Sequence, residues 1–287
     1  MAMRRQDCLD VSRADTFVLH GDAGPGVLAR TLTVELKTGG QHLVLEVPPG
    51  WHCPRGRNDA SLDLYILEGQ LQVENQSFST GAYTYIPSGM AYGPLSSMKG
   101  AKVLIFTDRA YAFEVEDESR AGTDLGRHIA HVDTWRRPWV DPMKDIVKKS
   151  TWVDPRTGEE GRPPGVLTKA LRKDDGTKEV VALTVLSPGF VDPGTEHHPH
   201  NECLYLIAGD CYIGLTYDHK REDVKENLVL HKDFYIGRPP GIRHGPVCTQ
   251  NGAFFLIYLA DYYTGIYGEV DDWEARVGGY LASERYR

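Results

Sequence analysis

The sequence predicts an all-β chain built as two similar small barrels in tandem. Three observations carry this: the chain repeats itself, its apolar runs have the length and composition of strands, and helical periodicity is scarce. The repeat is visible by eye. "PGVL" at Pro25–Leu28 recurs at Pro164–Leu167, and "PPGW" at Pro48–Trp51 falls on "SPGF" at Ser187–Phe190. "LYILEGQ" (Leu64–Gln70) falls on "LYLIAGD" (Leu204–Asp210), and "YIPSGMAYGP" (Tyr85–Pro94) on "GRPPGIRHGP" (Gly237–Pro246). Chance supplies any one such pair; four in the same order with similar spacing indicate a duplicated unit. The second copy is the longer, because "TYDHKREDVKENLVLHKD" (Thr216–Asp233) extends a polar excursion between strands.

Within each copy the elements read as strands. "TLTVEL", "QHLVLEV", "LDLYILEG", "GAYTYIP" and "KVLIFTD" are short, rich in β-branched and aromatic residues, and separated by Gly/Pro turns. The second copy supplies "EVVALTVL", "ECLYLIAG", "DCYIGLTY" and "AFFLIYLA". Such short, closely spaced strands favour a sandwich or small barrel over alternating β and α elements. The best helical candidate is "DDWEARVGGYLASERY" at Asp271–Tyr286, weakened by its glycine pair. The expected domains are residues 1–115, a linker at 116–162 rich in charge, proline and tryptophan, a second barrel at 163–270, and a C-terminal tail at 271–287 with helical character.

Composition narrows the function classes. The 287 residues carry a net charge of −8, which argues against broad attraction to nucleic acid or to an anionic membrane. No apolar run reaches the length of a membrane span, and no apolar segment follows the two early arginines as it would in a signal peptide. Five scattered cysteines without a CxxC pair fit neither a disulfide framework nor a zinc finger. A reducing, cytoplasmic setting is the expectation.

The chemistry concentrates in "PGTEHHPHNECLYLIAGD", Pro193–Asp210, which crowds Glu196, His197, His198, His200 and Glu202 at the mouth of one strand. Residues two apart on a strand share a face, so Glu202 points inward with Leu204 and Leu206 while Cys203 and Tyr205 point out. A bare cluster of histidines is as compatible with a hydrated loop as with a metal site. Here a buried-pattern strand follows the cluster, and a further histidine, His244, stands downstream.

Glu202 precedes Gly209 by seven positions, His198 precedes Glu202 by four, and "RPPGIRHGP" gives Pro239-x-Gly241-x-x-His244. This pair of motifs resembles that of the cupin superfamily. The whole chain then looks like a bicupin: two jelly-roll (double-stranded β-helix) barrels joined by an irregular linker. The resemblance implies one divalent metal per chain, held in the C-terminal barrel. The family pattern puts its first histidine at position 196, which is Glu196 here. Glu196, His198, Glu202 and His244 form the expected ligand set, with His200 or His197 as alternates, or three ligands alone in a two-histidine, one-carboxylate arrangement. The opposite positions in the first copy are Asn58, Leu62 and Tyr92, so that barrel is expected to be metal-free.

Imidazole with carboxylate suits Fe(II), Zn, Mn, Ni or Cu. Fe(II) is the first expectation, with a dioxygenase acting on a small carbonyl, enol or carboxylate compound. A metal-dependent lyase, isomerase or decarboxylase and a non-catalytic binding module are the alternatives, because fold does not fix reaction. Beyond the metal centre, Tyr205, Arg243 and Tyr258 are the candidate catalytic side chains, although each also reads as packing or surface. The expected partners are a small-molecule substrate and a second copy of the chain, the latter through outer sheet faces or the aromatic stretch "DYYTGIY".

Overall fold

The computed structural model describes residues 3–19, 26–154, 157–216 and 225–284. Much of the polar excursion at Thr216–Asp233, and the last residues of the C-terminal tail, lie outside these. Among the described residues no helix is long and apolar enough to cross a membrane. The chain is all-β and divides into two compact units, residues 1–4 with 11–138, and residues 5–10 with 139–287.

The division departs from the expected boundaries at two places. The first regular strand, β1 (Gln6–Asp10), belongs to the second unit. The stretch expected as an irregular linker contains strands and is shared between the units. Its short apolar runs fall below the length at which periodicity is visible; Ile129–Asp133 and Val147–Ser150 become strands by pairing with sheet edges, and Trp152–Val153 pairs with Glu160–Gly161.

In the first unit the main sheet is built from β2 (Leu28–Val34), β3 (Gln41–Val47), β4 (Leu62–Val73), β5 (Ala82–Ile86), β6 (Ala101–Thr107) and β7 (Ile129–Asp133). They run antiparallel in the order β7-β5-β4-β6-β3-β2. Alternation turns Leu43, Leu62, Ile66 and Ile105 to one core, which Phe78 and Tyr92 complete. Burying each such side chain stabilises the unit by about 1.5–3 kcal/mol.

The second unit carries β8 (Val147–Ser150), β9 (Val166–Lys173), β10 (Val180–Leu186), β11 (Thr195–His197), β12 (Glu202–Thr216), β13 (Lys225–His231), β14 (Phe234–Arg238), β15 (His244–Cys248), β16 (Ala253–Leu259) and β17 (Tyr263–Gly268). The path is β8-β17-β11-β15-β12-β16-β10-β9, with β13 and β14 also on β12 and β1 on β14. Only the β8–β17 pair is parallel among these. Leu206, Ile236, Phe255 and Leu259 make the core.

Gly209, where β12 bends, has φ +88°, and a Cβ there would meet the Gly252 carbonyl oxygen at 1.9 Å. Only glycine allows that approach. Gly69 on β4 is in the same position, with φ +79° and the Gly100 oxygen at 2.3 Å.

The C-terminal stretch forms a helix, α1 (Trp273–Glu284). Its glycine pair is tolerated because Val277 and Tyr280 pack on Tyr212 and Cys248, and the Tyr280 hydroxyl donates to Asp210. The five cysteines form no disulfide, and burial pushes the Cys203 thiol up to about 12, as suits a packing residue.

Candidate metal centre

Four strands of the second unit bring the chemistry together. β11 and β15 are antiparallel with Glu196 directly opposite His244, and directly opposed residues on one face are close enough to touch. β12 begins at Glu202, opposite Arg238 on β14. His198 follows β11, on the side of the cluster between the two carboxylates.

His244 Nε2 lies 3.2 Å from Glu196 Oε1 and 3.7 Å from Glu202 Oε2. His198 Nε2 lies 3.4 Å from Glu202 Oε1 and 3.9 Å from Glu196 Oε1. Both histidines and Glu202 are buried. Glu196, His198 and His244 each present one ligand atom within 4.8 Å of the others.

Glu202, the fourth member of the expected set, is drawn partly aside: its Oε2 accepts a 2.7 Å bond from Arg238 Nη1. His200 stacks on His198 at 5.5 Å between ring centres, with its Nδ1 3.1 Å from the Asn201 carbonyl, and stays out of the cluster. His197 sits on β11 beside Glu196, so alternation turns it to the other face.

The protons decide what this cluster can hold. His198 Nδ1 lies 3.0 Å from the Thr264 carbonyl oxygen and His244 Nδ1 lies 3.3 Å from that of Ile242. A carbonyl only accepts, so each Nδ1 carries the hydrogen and each Nε2 of a neutral ring offers a lone pair. Those lone pairs face carboxylate oxygens, which also only accept. His198 Nε2 is buried and meets no partner in hydrogen-bond geometry. Three ligand atoms turned toward one space, from Glu196, His198 and His244, suit a cation, and Nδ1 anchoring to backbone carbonyls is the usual orientation of metal-binding histidines.

Without a metal, a proton does part of that work. Burial alone would lower His198, but Glu202 and Glu196 outweigh it and raise it to about 9. Burial lowers His244, helped by the charge on Arg238. Burial would raise both carboxyls, yet His198 and His244 hold Glu196 below its ordinary value, and His198 and Arg238 do the same for Glu202.

The centre opens on a cavity of about 110 Å³. Its walls are largely apolar, with Leu204, Phe190, Phe255 and Ile257 among them, and Glu196, Glu202, His244 and Arg238 contribute polar lining. Drug-sized ligands occupy about 300–1,000 Å³, so this space suits a much smaller molecule.

Three further residues belong to the site and were not singled out from sequence. Tyr263 donates its hydroxyl to Glu196 Oε2, and the Tyr267 hydroxyl lies 3.1 Å from that of Tyr263. Both line the cavity, so two rings of "DYYTGIY" face the centre. An even spacing of four on β17, which pairs Tyr267 with Glu196 and puts both rings on one face, was the available signal. Arg238 is the third, and its inward direction follows from pairing with a strand far away in sequence.

The side chains expected to be catalytic lie elsewhere. Arg243 is exposed. Tyr205 donates to Asp233 at 2.6 Å and Tyr258 to Glu179 at 2.7 Å, and neither lines the cavity. Tyr205 is on the outward set of β12 by alternation, and Tyr258 sits opposite Cys203 of that same set.

Residues 10–263 match the model of a family described as a domain of unknown function, DUF4437. No curated protein matches the chain in sequence. Among solved structures the chain is similar to a "putative dioxygenase" from Nostoc punctiforme, with a TM-score of 0.72 at 19% identity over 92% of this chain and 86% of that one. It is also similar to a deletion mutant of Bacillus subtilis oxalate decarboxylase, with a TM-score of 0.55 at 14% identity over 97% and 84% of the two chains. At these identities the likeness establishes a cupin-like all-β fold.

Proposed function

We propose a function for this chain, which belongs to the DUF4437 family: it is a mononuclear metal-dependent enzyme of two cupin barrels, with its metal in the second barrel only. Its substrate is a small carbonyl, enol or carboxylate compound, and the reaction a non-haem Fe(II)-type dioxygenation. The observation that carries the reading is the convergence of His198 Nε2, His244 Nε2 and Glu196 Oε1 on one space, with His198 Nε2 buried and outside hydrogen-bond geometry. Two imidazoles and one carboxylate are the donor set of non-haem Fe(II) oxygenases. In the first unit Asn58, Leu62 and Tyr92 hold the matching positions, all buried, and they supply no equivalent donors.

Glu196, His198 and His244 would hold the ion, with Glu202 beside them. A divalent ion there supplies Lewis acidity and, as iron, redox chemistry. The rest is the work of this chain's own side chains. Tyr263 fixes the Glu196 carboxylate by donating to Oε2, which leaves Oε1 for the centre. Arg238 fixes Glu202 in the same way from the other side. The Thr264 and Ile242 carbonyls hold the tautomers of His198 and His244. Apolar walls keep bulk water from the reacting molecule and strengthen every charge interaction inside.

A lyase or decarboxylase is the second reading, and one observation favours it. Glu202 Oε1 is 3.4 Å from His198 Nε2, so a second carboxylate stands close enough to join the set. A harder donor set of this kind favours Mn over Fe.

The test is reconstitution with Fe(II) or Mn(II), followed by oxygen uptake and carbon dioxide release over a panel of β-dicarbonyl, enol and carboxylate compounds. Oxygen uptake with Fe(II) supports the dioxygenase. Carbon dioxide release without oxygen uptake moves the assignment to the lyase. A metal-loaded chain that turns over nothing supports the binding module instead.

A further inference from the structure

We infer that the substrate of this cavity is a compact aliphatic carboxylate, and that Arg238 is the residue that receives its carboxylate group. The inference rests on the enzyme reading above and narrows it to one substrate class.

Arg238 is 2% exposed, at the foot of β14, and its side chain lines the cavity. Its Nη1 is used by Glu202. Its Nε and Nη2 are buried and have no hydrogen-bond partner in the structure. These two atoms are the side-on edge of the guanidinium plane, whose parallel N–H groups match the two oxygens of a carboxylate. A whole bidentate edge is thus formed, desolvated and unused. A buried donor left without an acceptor carries its full desolvation cost. Such a cost is expected where a ligand completes the pairing.

The rest of the lining agrees. Arg162 also lines the cavity, with a buried Nε that has no partner. The other charged groups facing this space are Glu196, Glu202, His244 and Asp192. Even with Asp192 counted as charged, the two arginines and a divalent ion outweigh the three carboxylates. An anionic substrate restores the balance.

Thr168 Oγ1 and Thr184 Oγ1, on the paired strands β9 and β10, are likewise buried, without partners, and lining the same cavity. They stand level with Phe255, two residues along β16 from Ile257 and four from Leu259, the residue opposite Glu202. An acid with a short apolar body therefore has a place for its head at Arg238 and for a polar tail at the threonines.

The probe is butyrate, with uncharged butyramide as its isostere, titrated calorimetrically into the full chain. The chain is used both stripped with chelator and loaded with Mn(II), with metal content measured on each sample. Butyrate should bind both forms, at least tenfold more tightly than butyramide. Arg238→Lys keeps a cation beside Glu202 but removes the bidentate edge, so it should weaken butyrate about tenfold or more with butyramide binding and metal content unchanged. Equal affinity for butyrate and butyramide in the natural chain overturns the inference, and that arm needs no variant. So does unaltered butyrate affinity in a folded Arg238→Lys chain. Failure of the metal reading is separate: it appears as absent metal in the loaded samples, whatever butyrate does.

Discussion

Leu62 and Ile86 face each other across β4 and β5 in the first unit, and Glu202 and Arg238 face each other across β12 and β14 in the second. The repeat sets these two pairs in correspondence. In the first unit the pair is apolar and buried in the core with Tyr92, the counterpart of His244. In the second it is an ion pair that lines a cavity. One scaffold thus serves two ends, and the difference lies in a few inward positions rather than in the strands. Burying Leu and Ile stabilises by about 1.5–3 kcal/mol each. A buried ion pair returns little net stability and is costly to break on one side only. The second unit gives up stability at this register position and gains a charged, desolvated pocket.

The largest effect on the comparison should come from breaking the pair on one side. Arg238→Ala leaves Glu202 buried without its partner, and urea unfolding should show a loss of about 3–5 kcal/mol. The double change Glu202→Leu with Arg238→Ile copies the first unit, and should recover most of that loss or exceed the natural chain by about 1–4 kcal/mol. A double variant no more stable than Arg238→Ala would mean that the two units do not correspond here.

The reverse transplant is milder. Tyr92→His in the first unit should cost about 1–3 kcal/mol and leave metal content unchanged, because Asn58 and Leu62 still offer no matching donors. Elemental analysis showing a second equivalent of metal would break the proposed asymmetry.

Asp192 gives a smaller, pH-dependent effect. Its folded value, raised by burial to about 8, lies above its ordinary 3.8. Its contribution is therefore fully present below pH 3.8 and is lost as pH rises toward 8. Asp192→Asn does not titrate, so its urea midpoint should match the natural chain near pH 4 and exceed it increasingly up to pH 8. A constant difference across that window would assign Asp192 an ordinary acidity.

His197→Ala should change metal affinity least, since β11 turns His197 away from Glu196. A loss equal to that of His198→Ala would show the register of β11 to be different.

What was legible in the sequence was local. Strand length and composition gave the β class, and alternation along β12 put Glu202 with Leu204 on the cavity side. The spacing of His198, Glu202 and His244 pointed to one centre, and they do converge, as does Glu196 through its opposition to His244. What escaped depends on pairing between distant segments. Arg238 reads as a turn residue before two prolines until β14 is laid against β12. Tyr263 and Tyr267 read as a surface aromatic run until β17 is laid against β11. Arg243 attracted notice through its neighbour His244, but it precedes β15 and is exposed. β1 joins the second unit by pairing Leu9 with Tyr235, a partnership that no spacing in the sequence announces.

The central claim is that one divalent ion sits among His198, His244 and Glu196. Crystals of the full chain grown with Mn(II), measured for anomalous scattering, test it most directly. A single strong peak is expected within bonding distance of both Nε2 atoms and Glu196 Oε1, absent in His244→Ala. A cluster that stays without a peak at saturating Mn(II), or a peak elsewhere on the chain, would contradict it.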